Sequence, residues 1–385
     1  MAPAEDDQQP LHMLFFPYLI PMADIAALFA ASSARCTILT TPVQASIIRS
    51  IVNLRSPPID IVVVPFPEVG LSPGAQSGFP GDHGKLQQAA RLLREPFRQF
   101  LADHHAGLDA VVSDSFFPWS LDVAAEYGVP RLAFLGTSMF ARCCAESLLR
   151  NHNPDDDDDD GGDPNAVFSV PGLPHRVELR RSQMMRRPDQ LAFVKGIYAA
   201  DQKSYGELVN SFHELEPDYV EHYRTTLRRR AWLIGPVALA SGSKDEASKG
   251  WAPQVLILNH PAVGCFLTHC GWNSTLEAAS AGVPMVTWPR HADQFFNEKL
   301  VVDVLEVGVS VGAKDYGSST ETHRVIGAEM IGDAVRLLME EVEGDAMRRR
   351  ASDLGLKARS AVEKGGSSYG DAGQLLDELM ARRSR

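Results

Sequence analysis

No stretch of the 385-residue sequence runs for about 20 consecutive apolar residues, so nothing in it reads as a stable membrane insertion. Positive charge is scarce: 37 Lys and Arg face 49 Asp and Glu, and six of the acids form one run, Asp155 to Asp160. With that balance and no basic stripe, the chain lacks the phosphate-neutralising surface that nucleic acid requires. An anionic membrane surface is excluded on the same ground. Cysteine is sparse too. Cys36, Cys143, Cys144, Cys265 and Cys270 form no C-x-x-C pair, which predicts reduced thiols in a cytoplasmic setting and no structural zinc. There is no internal repeat and no G-x-S-x-G elbow, since Gly136-Thr137-Ser138 lacks the second glycine of an α/β-hydrolase nucleophile. The apolar stretch Leu11–Ala34 ends in small residues, as a secretory signal does. Its flank carries Glu5, Asp6 and Asp7 with no Lys or Arg, and the run holds Pro17, Pro21 and Asp24, the pattern of a strand followed by a helix. The formal glycosylation acceptor Asn273-Ser274-Thr275 is discounted with the signal.

What is present is an alternation of short apolar runs and helical patterns, the mark of βαβ units and a parallel sheet. His12–Tyr18, Cys36–Thr40, Ile61–Val64, Ala110–Ser113 and Arg131–Leu135 read as strands. Ile20–Ala31, Leu86–Asp103 and Leu121–Tyr127 read as helices, and Tyr205–Phe212 and Trp232–Pro236 as the last strands of a first domain, 1–240. The acidic run is a solvated loop. Residues 241–250 lack periodicity and read as a linker. A second domain, 251–385, shows only three strands, Gly264–Thr268, Pro284–Trp288 and Gly308–Val311. That is half of a doubly wound sheet, which has about six.

Chemistry concentrates in the 44 residues from Trp251 to Gln294. Gly264–Thr268 is a buried strand, His269-Cys270-Gly271 a turn at its carboxyl end, and Trp272-Asn273-Ser274 the start of a helix, placed where parallel sheets bind ligands. The free N–H groups and positive end of such a helix favour a phosphate. Asn273 and Ser274 add side-chain donors, and Glu277 one turn on can accept two ribose hydroxyls. The spacing Ser274-x-x-Glu277 equally fits a capping box that only satisfies the helix end. Trp251, beside Ala252 and Gln254, suits stacking under a flat heterocycle, or ordinary packing. Asp293 and Gln294 end the next strand, where the paired hydroxyls of a sugar would find two acceptors and a donor; an N-cap role for Asp293 fits as well.

Over its full 44 residues this block resembles the signature box of plant family-1 UDP-dependent glycosyltransferases. The stretches Leu11–Val43, Asp109–Thr137, Val170–Gln183, Asn210–Pro236 and Val325–Ser384 are similar to one branch of that family, which glucosylates flavonoids and related small phenolics or terpenoids. The resemblance implies an α/β fold of two facing Rossmann-like domains (GT-B type), here with the second incomplete. It implies that Trp251 stacks on the uracil and that the Ala252 backbone and Gln254 hydrogen-bond it. Glu277 would hold the ribose, and His269, Asn273 and Ser274 the phosphates. Trp272, Asp293 and Gln294 would contact the sugar. The ligands implied are a UDP-sugar and a small hydrophobic acceptor, with no metal and no other cofactor, on a monomer. Transfer inverts the anomeric carbon: a histidine after the first strand deprotonates the acceptor, oriented by an aspartate that matches Asp114.

Two departures stand out. Family members carry Pro-Gly-His between first strand and first helix, whereas this chain runs Pro17-Tyr18-Leu19-Ile20-Pro21. His12 does not replace it, lying roughly 20 Å from the correct strand end at ~3.3 Å per residue. Three strands that precede the Trp of the box in the family are also missing before Trp251, which suggests an internally deleted chain. A catalytically impaired pseudoenzyme that still binds nucleotide sugar or metabolite therefore stands as the alternative. Phe116–Trp119 and Val170–Gln183 are the expected acceptor wall.

Overall fold

The computed structural model describes residues 9–16, 21–52, 58–71, 83–151, 163–185, 187–240, 254–317, 324–340 and 342–384. The expected linker, the acidic run, Trp251, Ala252 and the Pro17–Ile20 turn lie outside the described residues. Twelve strands are found among them: β1 (His12–Phe16), β2 (Arg35–Thr40), β3 (Asp60–Val63), β4 (Ala110–Asp114), β5 (Arg131–Phe134), β6 (Val167–Val170), β7 (Val177–Arg180), β8 (Gly206–Val209), β9 (Ala231–Leu233), β10 (Phe266–Thr268), β11 (Met285–Thr287) and β12 (Gly308–Ser310). A seven-stranded sheet has the order β3-β2-β1-β4-β5-β8-β9. Its β1–β2, β1–β4, β2–β3, β4–β5 and β5–β8 pairs are parallel. Strands buried on both faces read as unbroken apolar runs, which is why Met13-Leu14-Phe15-Phe16 and Val111-Val112 sit at its centre, all essentially inaccessible.

Packing divides the chain into two compact units, Met1–Leu135 with Ala200–Leu208 and Ala372–Arg385, and Gly136–Ala199 with Val209–Asp371. This division does not follow the 240/251 boundary read from composition. Residues 136–199 and 209–240 join the second unit through bonds that no local pattern announces, such as Gln183 Nε2 to the Ala313 carbonyl (3.4 Å) and the Tyr316 N–H to the Ser182 carbonyl (2.8 Å).

In the first unit, Phe16 packs on Phe97 and Phe117 with ring centroids 4.8 and 4.6 Å apart, and Trp119 closes the cluster. Each buried ring contributes about 1.5–3 kcal/mol. The buried Arg131 donates to Asp201 (3.0 Å), Ser120 (2.9 Å) and Ser204 (2.7 Å), while the Ser115 hydroxyl donates to the other Asp201 oxygen (2.7 Å). That network pins the turn just after β4. The helix expected over Leu86–Asp103 is two helices, His83–Leu92 and Arg94–His104. Pro96 lacks an N–H and its ring excludes the carbonyl four residues back, so it is tolerated only in a first turn.

In the second unit, β10-β11-β12 form a parallel three-stranded sheet. Among the described residues the second domain is thus incomplete, half of a doubly wound sheet, as its three apolar runs indicate. The helix Trp272–Ala281 ends on Gly282, whose φ of 75° is the left-handed stop that glycine adopts without strain. The helix Val342–Val362 lies against this stop; a Cβ on Gly355 would come 2.9 Å from the Gly282 nitrogen. β6 and β7 form an antiparallel hairpin. Among the described residues, no helix is long and apolar enough to cross a membrane.

Candidate functional site

The turn expected at His269–Gly271 and the helix expected to open at Trp272 form, the helix running Trp272–Ala281. The strand expected to be buried over Gly264–Thr268 is only β10 (Phe266–Thr268), of which Thr268 alone is buried. Cys270 makes the turn by adopting φ 63°, a left-handed conformation that costs a non-glycine residue about 1–3 kcal/mol. It is buried, and its N–H donates to Thr268 Oγ1 (3.1 Å). Gly271 has φ −60°, so its value is close approach rather than backbone freedom. A Cβ there would sit 2.4 Å from Nε2 of His269, whose ring lies over it. Burial of this ring lowers the His269 pKa, partly offset by the Asp293 carboxylate, and so favours the neutral imidazole.

The N-cap of the helix is Gly271, and the first backbone bond runs from the Thr275 N–H to the Gly271 carbonyl (3.0 Å). Ser274 is therefore the third helical residue and Glu277 the sixth, which rules out the capping box that their spacing allowed. The backbone N–H groups of Trp272, Asn273 and Ser274 precede the first intrahelical bond and sit at the positive helix end, the arrangement that binds phosphate. Gln254 opens the short helix Gln254–Leu258 and donates from Nε2 to Glu277 Oε2 (2.8 Å). These two residues, 23 apart and expected at uracil and ribose, are thus brought together. The Trp272 indole is buried and donates to the Asn210 carbonyl (2.7 Å), so its backbone rather than its ring faces the helix end.

Asp293 stands at the N-cap of the helix Gln294–Lys299 but makes no side-chain cap. Its Oδ2 instead accepts from Thr137 Oγ1 (2.7 Å) and Asn297 Nδ2 (2.9 Å). Burial raises its pKa, opposed by those two hydrogen bonds. Gln294 is buried, and its Oε1 accepts from the backbone N–H groups of Arg290 (2.8 Å) and His291 (3.1 Å). The Gln294 oxygen thus holds the 290–294 loop, which leaves the Asp293 carboxylate as the acceptor of the pair. Asn297, Thr137 and Ser138 escaped the sequence reading; apart from the Asn297–Asp293 bond, the contacts that join them to the site span 27 to 159 residues.

Asp114 is in the first unit, wholly buried at the carboxyl end of β4. Its Oδ1 accepts from the Phe116 N–H (3.0 Å), an Asx turn. His12 lies at the other end of β1, its ring bonded to the Gly107 carbonyl (3.0 Å) and to Thr37 Oγ1 (2.8 Å). It is a structural histidine. Phe117 is core and the Trp119 indole donates to the Ala90 carbonyl (3.0 Å), so of the expected wall at 116–119 the half-buried Phe116 and Pro118 remain. Val170, Val177, Leu179 and Gln183 are likewise buried, because the hairpin folds them onto the second unit's core. Among the described residues, no three His, Cys, Asp or Glu side chains converge as metal ligands.

A family model described as UDP-glucoronosyl and UDP-glucosyl transferase matches residues 237–320. The chain is 33% identical to a UDP-glucose flavonoid 3-O-glucosyltransferase of Fragaria ananassa, with 98% of both chains covered. It is also 33% identical to a scopoletin glucosyltransferase of Nicotiana tabacum, covering 96% of this chain and 98% of that one. The first of these alignments spans 491 positions, so at least 106 of them face no residue in a chain of 385. A Glycyrrhiza uralensis UGT, solved with glycyrrhetinic acid 3-O-monoglucuronide, is 31% identical with a TM-score of 0.84, covering 97% of this chain and 96% of that one. A Medicago truncatula UGT solved with UDP-glucose, 22% identical over 96% and 98% of the two chains, shares the fold with a TM-score of 0.77.

Proposed function

Because the chain belongs to the UDP-glucuronosyl and UDP-glucosyl transferase family, we propose that it binds a UDP-sugar and transfers glucose or a similar hexose, with inversion, to a hydroxyl of a small hydrophobic plant metabolite such as a flavonoid. The observation that carries this reading is the uncapped start of the helix Trp272–Ala281, followed one turn on by the Glu277–Gln254 pair. Three backbone N–H groups with neutral His269 and the Asn273 and Ser274 side chains would hold the diphosphate, and Glu277 the ribose. Gln254 would contact the uracil, which Trp251 and Ala252 complete. Asp293, Gln294 and the Trp272 backbone would hold the sugar. No resident metal is needed in this reading, since helix end and hydrogen bonds neutralise the leaving diphosphate. The acceptor domain would be 1–240 and the donor domain 251–385, in a monomeric cytoplasmic protein.

In transfer, the acceptor oxygen forms a bond to the anomeric carbon as the bond from that carbon to the diphosphate oxygen breaks, and UDP leaves with the electron pair. The family resemblance implies a histidine after the first strand as the base for the acceptor proton, and this sequence lacks it after Phe16. Here the acceptor would arrive as an ionised phenol; Asp114, wholly buried, would take the proton only if its turn opened. A missing general base costs about 10²–10⁴-fold. That loss and the 106 uncovered positions favour a second reading, a nucleotide-sugar-binding pseudoenzyme derived by internal deletion.

Calorimetric titration with UDP, and with UMP for comparison, tests the site. The expected outcome is saturable binding that prefers UDP, and a weakening of about tenfold in Glu277→Ala from the loss of its ribose bonds. Equal affinity in that variant would remove Glu277 from the site, and binding without transfer would select the pseudoenzyme.

A further inference from the structure

We infer that Asn297, three residues beyond the 44-residue block, is a positioning residue that ties the phosphate turn to the sugar-binding acid; this rests on the UDP-sugar reading above. Asn297 is wholly buried. Its Nδ2 donates to two acceptors, the Cys270 carbonyl (2.9 Å) and Asp293 Oδ2 (2.9 Å), and its Oδ1 accepts from Ser138 Oγ (2.9 Å). Ser138 Oγ in turn accepts from the Ala141 N–H (2.9 Å), so a rigid helix start backs the arrangement. One amide thereby holds the carbonyl of the left-handed residue just before Gly271 and one oxygen of the acid on the next strand's rim. Thr137 donates to that same Oδ2 (2.7 Å). With both side-chain donors on Oδ2, the rotation of the Asp293 carboxylate is set, and Oδ1 is the oxygen that would meet a sugar hydroxyl.

The chemistry explains why this side chain is an amide. Aspartate at 297 has no N–H to give the Cys270 carbonyl and places a second carboxylate against Asp293. Alanine leaves the Cys270 carbonyl, Asp293 Oδ2 and the Ser138 hydroxyl short of a partner at once. The consequence for binding is selective. UDP needs the helix end, which Gly271 and the first helical turn still supply; UDP-glucose needs the helix end and a correctly rotated Asp293 together.

The test is titration of the full chain and its variants with UDP and with UDP-glucose, without acceptor, reading the ratio of the two affinities. A ratio on one sample cancels any general loss of folded protein. Asn297→Ala is expected to lower the UDP-glucose to UDP ratio about tenfold, the effect of freeing a charged hydrogen-bond acceptor. Added to Asp293→Ala, the same change is expected to lower the ratio no further, because Asn297 acts through that acid. Asn297→Asp, which has no N–H for the Cys270 carbonyl and sets a second carboxyl against Asp293, is expected to lower the ratio as well. An unchanged ratio in Asn297→Ala, or full additivity with Asp293→Ala, overturns the inference alone. An unaltered chain that binds neither ligand overturns the UDP-sugar reading and the inference with it, before any variant is made.

Discussion

Glu298 is one residue beyond Asn297 and faces the opposite chemistry, a carboxyl kept in the core by two hydroxyls. Thr287 and Ser310, paired across β11 and β12, both donate to its Oε2 (2.6 and 2.9 Å). Burial pushes its pKa from 4.5 up to about 7, against the pull of those hydroxyls. Glu216, buried under the N–H groups of Met139 and Phe140, is likewise pushed up to about 7 by burial. Below pH 4.5 folded and unfolded chains both hold these protons, and there is no effect on stability. Between 4.5 and 7 the unfolded chain has released protons that the folded one keeps, so stability falls as pH rises and levels off above 7. Glu298→Gln keeps an oxygen for both hydroxyls and removes the titration. It is expected to raise stability at pH 8 by roughly 1–3 kcal/mol and leave pH 4.5 nearly unchanged, measured by denaturant midpoints at the two values. A parent-like difference between them would mean that Glu298 does not fold as the neutral acid. At this scale the sequence singled out Trp272, Asp293, Gln294 and Glu277, but nothing local shows that the Trp272 N–H is claimed by the Asn210 carbonyl.

Elements were more legible than side-chain roles. Three apolar runs in the second domain became three strands, and the glycine after Ala281 ended its helix, because periodicity and turn chemistry act over a few residues. The β6–β7 hairpin was not read as strands, its alternation being blurred by charged residues such as Arg176 and Glu178 that pair on the surface (2.6 Å). The half-sheet also has a physical cost. Among the described residues β10 is an edge strand with Leu267 45% exposed, and the nearby sequence leaves Leu256 and Ile257 43% and 49% exposed. Open apolar edges template association. Leu267→Lys is expected to suppress concentration-dependent light scattering while changing stability by no more than about 0.5 kcal/mol. Equal scattering by parent and variant would place the association elsewhere.

For the whole molecule, the decisive prediction concerns turnover. Inserting Pro-Gly-His after Leu19 is expected to raise product formation by about 10²-fold or more, the contribution of a general base, in a chain that binds UDP. UDP binding with no gain, read by product chromatography, would make the incomplete donor domain the main defect. The sequence by itself determined the parallel α/β class, the half-sized second sheet, the strand–turn–helix at 264–281 and the missing histidine, all of which are written in runs of residues that are neighbours in the chain. Only the tertiary structure decided that Gly271 caps the helix instead of Ser274, that Asp293 is held from Thr137 and Asn297, and that 136–199 packs with 209–371. Those outcomes depend on bonds spanning as many as 159 residues, and such partners are chosen by packing after the local elements have formed.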